Sequence, residues 1–278
     1  MSQSVLDPTL QRKLHIPPRP EVVCVLQEEM RKEVADLDRI GRHISADVGL
    51  AGEMLKAVNS PALGLSRKVV SIPQAITILG LKKVASLAMG LTLRGTMNGR
   101  QPSMERFWDT AEKTAVLCGH LARQLRGIAP DEAYTVGLFH DCGIPILMIY
   151  RDDYKNTLAR ANHAGDRKFA AVEEEEVGTH HGAVGYFLAR SWALPEMLCQ
   201  AILWHHDPAV FEDPGMTDAV RNYVGIIHLS EHILHLVMRN APDLEWNKFE
   251  SVVLDHFGLT EEDFINLLDD ARDMLLAT

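Results

Sequence analysis

Cysteine is scarce in this 278-residue sequence, and its four copies are far apart. They form no Cys-x-x-Cys motif, the spacing that marks many zinc ribbons and redox-active pairs; their positions are Cys24, Cys118, Cys142 and Cys199. We therefore expect four reduced thiols that pack as small hydrophobic residues. The sequence predicts neither a disulfide nor a zinc site built from cysteine.

Long hydrophobic runs and clusters of positive charge are missing as well. The apolar runs are far shorter than the roughly 20 residues of a membrane span, and no basic segment precedes an apolar one near the N-terminus. The net charge is −10, and the basic residues are scattered apart from pairs such as Arg67-Lys68 and Lys82-Lys83. Such a surface would not attract the negatively charged phosphate backbone of a nucleic acid. We expect a cytoplasmic protein that binds neither membranes nor nucleic acid.

The persistent alternation of polar and apolar residues that marks a strand is also absent, and almost every segment has the period of a helix. Asp36 and Asp47 are predicted to cap helices over about 37–45 and 48–59, because a carboxylate accepts hydrogen bonds from free backbone amides. The acidic run 173–176 is predicted to be a solvated face near a helix start. The sequence therefore predicts an all-α protein.

One loop marks the best candidate boundary inside the chain. Residues 98–102 are rich in Gly, Asn, Arg, Gln and Pro, which favour loops over helices. We therefore expect an N-terminal helical half over 1–97, a second helical half over 103–240 and a C-terminal helical extension over 241–278.

Three adjacent pairs of metal-ligating residues stand out among the 13 histidines. They are His140-Asp141, inside the apolar run GLFHDCGIPIL, His180-His181 and His205-His206. Neighbours on a helix are about 100° apart, so each pair can approach one cavity. Imidazoles and carboxylates suit zinc, iron or manganese, and five or six of them suit a two-metal hydrolase. Alternatively, the pairs form a buried hydrogen-bond network that needs no metal.

Between about residues 14 and 240 the sequence contains, in this order, LHIPPRPEVV, ISADVGLAGEMLKAVNSPALG, VSIPQAITILGLKKVASLAMG, FWDTAEKTAVLCGHLA, AYTVGLFHDCGIPIL, HHGAVGYFLARSWALPEMLCQAILWHHDP and VGIIHLSEHI. This series resembles the HDOD domain, a branch of the HD phosphohydrolase superfamily related to the HD-GYP cyclic dinucleotide phosphodiesterases. The resemblance implies a multi-helix HDOD-like fold, in which an N-terminal helical subdomain packs on an HD-domain-like helical subdomain.

The resemblance also implies a set of metal ligands. At the matching positions this sequence has His140, Asp141, His181 (with His180 as the less favoured alternative), His205, His206 and Glu231, the last in place of an aspartate.

The first histidine of the superfamily is missing from this set. Thr110 stands at its position in FWDTAEKTA, and a neutral hydroxyl is a poor ligand for a first-row metal. His120 would lie about 15 Å further along the helix, too far away to replace it. The set therefore predicts a degenerate site that holds, at best with partial occupancy, a divalent ion such as iron, manganese, zinc or magnesium.

Three functions are compatible with these features. The favoured interpretation is a non-catalytic signal-transduction HDOD module without catalytic residues, which binds a partner protein or a nucleotide ligand. The alternative is a metal-dependent phosphohydrolase, similar to a phosphodiesterase, that uses the partial ligand set. The third is a scaffold in which the histidine pairs serve only as buried hydrogen-bond networks.

Overall fold

The computed structural model describes residues 8–60, 65, 67–98, 104–165, 167–239 and 243–276. The regular structure of these residues is helical throughout, which confirms the all-α prediction. The helices are α1 (Pro8–Lys13), α2 (Glu21–Met30), α3 (Leu37–Ala46), α4 (Val48–Val58), α5 (Ile72–Leu79), α6 (Leu81–Asn98), α7 (Glu105–Leu121), α8 (Pro130–Phe139), α9 (Gly143–Tyr150), α10 (Tyr154–His163), α11 (Phe169–Val177), α12 (His181–Ser191), α13 (Glu196–Trp204), α14 (Asp218–Leu234), α15 (Trp246–Phe257) and α16 (Glu261–Leu276). A 3₁₀ turn, Pro208–Phe211, and a π-helical turn, His235–Arg239, flank α14.

The chain forms two compact units. The first comprises Pro18–Gln101 and Arg272–Thr278, and the second comprises Met1–Pro17 and Pro102–Ala271. The extension predicted over 241–278 therefore contributes α15 and most of α16 to the second unit. All four cysteines are free, as expected, and three of them are buried.

Helix caps and a buried apolar core stabilise the first unit. Asp36 accepts a hydrogen bond from the Arg39 amide at 2.8 Å, and Asp47 accepts one from the Leu50 amide at 3.0 Å, so both predicted caps are confirmed. The apolar faces of α2 to α6 meet in one core. Its fully buried members include Ile44, Met54, Val58, Ala75, Val84, Ala85 and Ala88.

A buried carboxylate links α2 to α3 within the first unit. The Glu29 side chain is inaccessible to solvent and accepts hydrogen bonds from Lys32 Nζ and Arg39 Nη1, both at 2.6 Å. It also accepts one from the Asp36 amide at 2.9 Å. The hydrogen bonds from Lys32 and Asp36 outweigh the effect of burial and lower the pKa of Glu29 to about 2.

Acid is therefore expected to destabilise the protein through Glu29. A carboxyl with a lowered native pKa contributes stability above its unfolded pKa, 4.5, and this contribution is lost as the pH falls through about 2. Glu29→Gln should be less stable than the wild type at pH 7 and should lose less stability below pH 4.5. Urea unfolding at several pH values measures both effects, with the exposed Glu33→Gln as the control. Equal acid losses in wild type and Glu29→Gln would contradict this expectation.

The most apolar stretch of the second unit is Pro130–Tyr150, which contains α8, a turn and α9. It is long and apolar enough to cross a membrane, longer than the runs expected from the sequence, but 72% of its apolar window is buried within the fold. It therefore has the burial of a core helix. α9 was not predicted from the sequence, because GIPILMIY has no polar face to reveal a helical period.

Two glycines allow the helices around this stretch to approach closely. A Cβ atom on Gly143, the first residue of α9, would lie 2.0 Å from the carbonyl oxygen of His181. A Cβ atom on Gly182 would lie 2.9 Å from the Ile202 carbonyl oxygen. The helices α9, α12 and α13 therefore meet backbone to backbone, and this contact brings the residues at their ends together.

Candidate metal centre

The predicted ligands lie at or near helix ends in the second unit. His140 and Asp141 occupy the turn between α8 and α9, and His181 is the first residue of α12. His205 and His206 directly follow α13. Glu231 projects from the last turns of α14. The structure thus brings residues from four separate parts of the sequence to one place.

Four of these side chains form a first ligand group, in which one ligand atom from each lies within 4.8 Å of the others: Asp141, His181, His205 and His206. His181 Nε2 is 3.1 Å from both His205 Nε2 and His206 Nε2. Asp141 Oδ1 is 3.2 Å from His181 Nε2 and 3.5 Å from His205 Nε2. Three imidazoles and one carboxylate oxygen therefore surround one point.

A second ligand group shares Asp141 with the first. His140 Nε2 lies 3.4 Å from Asp141 Oδ2 and 3.3 Å from Glu231 Oε1. The three ligand atoms lie within 4.8 Å of one another. The two oxygens of Asp141 thus face different groups, one rich in nitrogen and one rich in oxygen.

Backbone carbonyls determine which ring nitrogen of His140 and His205 carries the proton. His140 Nδ1 is 2.7 Å from the Gly137 carbonyl oxygen, and His205 Nδ1 is 2.7 Å from that of Ile202. A carbonyl oxygen only accepts, so each Nδ1 donates and each neutral ring turns a bare Nε2 towards the centre.

Carboxylates hold the other two imidazoles in the same way. His181 Nδ1 is 2.8 Å from Glu173 Oε2, and His206 Nδ1 is 3.1 Å from Glu245 Oε1. A carboxylate that accepts from one ring nitrogen is the common outer support of a metal-ligating histidine, because it orients the ring and increases its basicity. In the neutral form all four histidines would therefore turn Nε2 towards other acceptors, an arrangement that either a bound proton or a metal cation stabilises.

The pKa values of several groups in the centre are shifted in the direction that favours positive charge on an imidazole beside a carboxylate. Burial alone would lower the pKa of His181, but Glu173 and Asp141 raise it to about 10. Burial likewise opposes charge on His140, yet Asp141 and Glu231 raise its pKa well above the usual value. The pKa of Asp141 is held well below its usual value, because His140 and the other imidazoles outweigh burial.

His205 and His206 behave differently. Burial is the largest cause of the lowered pKa of both, and neighbouring imidazoles lower it further. Both rings are therefore neutral at neutral pH, the form in which an imidazole binds a metal.

The environment of Glu173 differs from the one predicted from the sequence. The prediction that the acidic run 173–176 is a solvated face is wrong for this residue, whose side chain is fully buried. It accepts hydrogen bonds from the His181 ring, from the His181 amide at 3.2 Å and from the Tyr154 hydroxyl. The helical period contained this signal, because Glu173 shares the face of α11 that buries Phe169, Val172 and Val177.

Other histidines lie outside the two ligand groups. His180 accepts a hydrogen bond from the Ala183 amide at 3.3 Å and caps α12, and burial lowers its pKa to about 4. His120 instead contacts Asp270 Oδ2 at 2.6 Å. Thr110 is half-buried on α7.

The donor atoms fit a divalent transition metal. Three imidazole nitrogens and a carboxylate oxygen suit zinc, iron or manganese better than magnesium, which prefers oxygen ligands. The hydrogen-bond network considered from the sequence also fits these atoms, because the raised pKa values of His140 and His181 allow their Nε2 atoms to donate.

Comparison with known families supports the sequence resemblance. The family model described as the HDOD domain matches residues 16–208, more than half of the chain. The chain belongs to the HDOD family. The match ends before α14, so Glu231 and Glu245 come from residues beyond it.

Solved structures share this fold. An HDOD domain protein of unknown function from Geobacter sulfurreducens is similar with a TM-score of 0.75 and 20% identity, covering 96% of this chain and 93% of that one. A candidate signal transduction protein from Marinobacter aquaeolei is similar with a TM-score of 0.73 and 21% identity, covering 98% of this chain and 61% of that one. A candidate phosphohydrolase from Shewanella amazonensis has a TM-score of 0.71 and 21% identity, with coverages of 95% and 93%.

Among curated proteins, an uncharacterized protein of Treponema pallidum is 24% identical over 69% of this chain and 38% of its own length. The uncharacterized protein YuxH of Bacillus subtilis is 29% identical over 41% of this chain and 28% of its own length. The chain thus spans less than two fifths of the curated relatives it matches.

Proposed function

We propose that the chain is a regulatory HDOD module that binds one divalent metal ion through Asp141, His181, His205 and His206 and does not use it for catalysis. The observation that carries the proposal is the convergence of Nε2 atoms whose Nδ1 atoms are all bonded outward. This first ligand group already supplies four protein ligands. Four protein ligands are typical of structural zinc sites, whereas catalytic sites keep a position open.

The surroundings of the ion site support a regulatory role over phosphate chemistry. The contacts that hold the ligands come from carboxylates, imidazoles and backbone carbonyls. The carboxylates and carbonyl oxygens among these groups attract a cation and repel a phosphate. The similar structures include both a candidate signal transduction protein and a candidate phosphohydrolase, so they favour neither role; we propose a protein partner or a nucleotide as the counterpart of the regulatory module.

Metal analysis tests the ion site. Because the first group supplies four ligands, wild-type protein purified without oxygen or chelator should contain close to one transition-metal ion per chain rather than the partial occupancy expected from the sequence, and His181→Ala should contain almost none. His180→Asn is the matched control, because His180 lies outside the ligand groups and asparagine is a good N-cap. A wild-type metal content below about a tenth of an ion per chain, or an unchanged content in His181→Ala, would contradict the proposal.

The phosphohydrolase alternative draws on one separate observation, the sharing of Asp141 between the two ligand groups. Two ions bridged by a carboxylate would activate water and position a phosphate. In this alternative Asp141 holds both ions, while His140 and Glu231 complete the second site. The second group would then supply three protein ligands.

An activity assay decides between the two functions. We expect no turnover of bis(p-nitrophenyl) phosphate or cyclic dinucleotides by protein loaded with manganese or iron. His140→Ala serves as the reference, because it removes the nitrogen ligand of the second group only. Wild-type turnover that disappears in His140→Ala would establish the hydrolase instead.

A further inference from the structure

A carboxylate from the C-terminal part of the chain contacts the metal centre. Glu245 lies at the N-cap of α15, and its Oε1 atom is 3.1 Å from His206 Nδ1. The Glu245 side chain is only 18% exposed. The contact has the same form as the one between Glu173 and His181, in which a carboxylate oxygen lies next to Nδ1.

Glu245 is itself held in place. Its second oxygen, Oε2, accepts a hydrogen bond from Lys248 Nζ at 3.0 Å. The same ammonium donates to the carbonyl oxygens of Ala164 at 3.2 Å and Arg167 at 2.7 Å, in the loop between α10 and α11. Lys248 therefore links the carboxylate to the loop that precedes Phe169.

His206 is the imidazole that most needs this support. Its side chain is 12% exposed, whereas those of His181 and His205 are 0% and 1% exposed. Its Nδ1 bonds to a side chain, unlike that of His205, which bonds to the backbone. The Phe169 ring stacks on it with centroids 4.3 Å apart and planes 5° apart. Stacking fixes the plane of the ring, and Glu245 fixes its rotation within that plane.

We propose that Glu245 is a positioning residue of the metal centre and that Lys248 holds the Glu245 carboxylate in place. On this proposal, α15 is part of the metal centre. The inference rests on the proposed ion binding. By accepting a hydrogen bond from Nδ1–H, Glu245 keeps Nε2 of His206 free to bind the ion and increases its basicity. Loss of such a partner lowers metal affinity about 10- to 100-fold in other proteins.

Cobalt binding by the full chain tests the proposal. Chelator-treated wild type, Glu245→Gln, Lys248→Met and Glu250→Gln are each titrated with Co²⁺ alone, and the visible spectrum and the rate of Co²⁺ release to EDTA are recorded. Glu250 is an exposed residue of the same helix and supplies the control. Glu245→Gln should bind about 10- to 100-fold more weakly, with an altered spectrum. Lys248→Met, which keeps the carboxylate, should release Co²⁺ faster.

The outcomes separate this inference from the function on which it rests. No Co²⁺ binding by the wild type would overturn the ion site and the positioning role with it. Wild-type affinity, spectrum and release in both Glu245→Gln and Lys248→Met would overturn the positioning role alone. An equal loss in Glu250→Gln would also overturn it, because the effect would then belong to the helix in general.

Discussion

Gly143→Ala is expected to destabilise the second unit and to empty the metal centre. A Cβ atom at this position would lie 2.0 Å from the carbonyl oxygen and 2.8 Å from the carbonyl carbon of His181, and 2.9 Å from the Gly185 amide nitrogen. All three are backbone atoms, so no side chain can rotate away. The start of α9 would have to move away from α12.

That movement would separate the ligands. Asp141 lies two residues before Gly143, and His181 is the residue that the new methyl group would meet. We expect a loss of about 3 kcal/mol in the free energy of unfolding, the upper end of the usual range for overpacking. Metal content should fall together with stability, because the displacement of α9 moves Asp141 away from the imidazoles of the first ligand group.

Urea unfolding and metal analysis of Gly143→Ala measure these effects. Gly52→Ala is the matched control: the same change is made in α4, where a Cβ atom would meet no other atom within 4 Å. It should stabilise the protein by up to about 1 kcal/mol through helix propensity. If Gly143→Ala unfolded like the wild type and kept its metal, the close approach of α9 and α12 would not be needed.

Much of the fold could be predicted because helices leave local signals. Asp36 and Asp47 cap the helices that follow them, and the apolar period marked most of the others. The pair His140-Asp141 was identified because two polar residues are unusual inside an apolar run. α9 was not predicted because its sequence is apolar on every side, and an apolar run alone does not distinguish a helix from a strand.

The support of the site was harder to predict than its ligands. Glu173 stands among three other acids; its place on the apolar face of α11 indicates burial, but only the structure shows its contact with His181. Glu245 lies 39 residues after His206, and nothing in its local sequence points back to that ring. The candidate ligands form a recognisable motif because only a few residue types bind a metal. Their support leaves no such motif, because any carboxylate or carbonyl oxygen that reaches Nδ1 can accept its hydrogen bond.

Glu173→Ala is expected to have the second large effect, on stability and on metal binding together. The change leaves the Tyr154 hydroxyl, the His181 amide and His181 Nδ1 without their acceptor in a buried environment. The pKa of Glu173 is lowered despite burial, because the charge of His181 and the hydrogen bonds favour the ionised form. Removal of one partner of a buried charged pair costs about 3–5 kcal/mol.

Metal affinity should fall because the His181 ring loses the group that orients it. A loss of about 10- to 100-fold is typical for such outer partners. Urea unfolding of the metal-free protein and Co²⁺ titration of the folded protein measure the two effects separately. Since metal-free unfolding contains no contribution from the ion, it reports the buried hydrogen bonds alone.

Glu175→Ala provides the comparison within the same helix. Glu175 is exposed and pairs with exposed Arg167 at 2.7 Å, so its loss should cost at most about 1 kcal/mol and leave Co²⁺ affinity unchanged. A similar small effect in Glu173→Ala would mean that Glu173 is not a buried partner of His181. A stability loss without any change in affinity would restrict Glu173 to the fold, and the orientation of His181 would then depend on Asp141 and the surrounding rings.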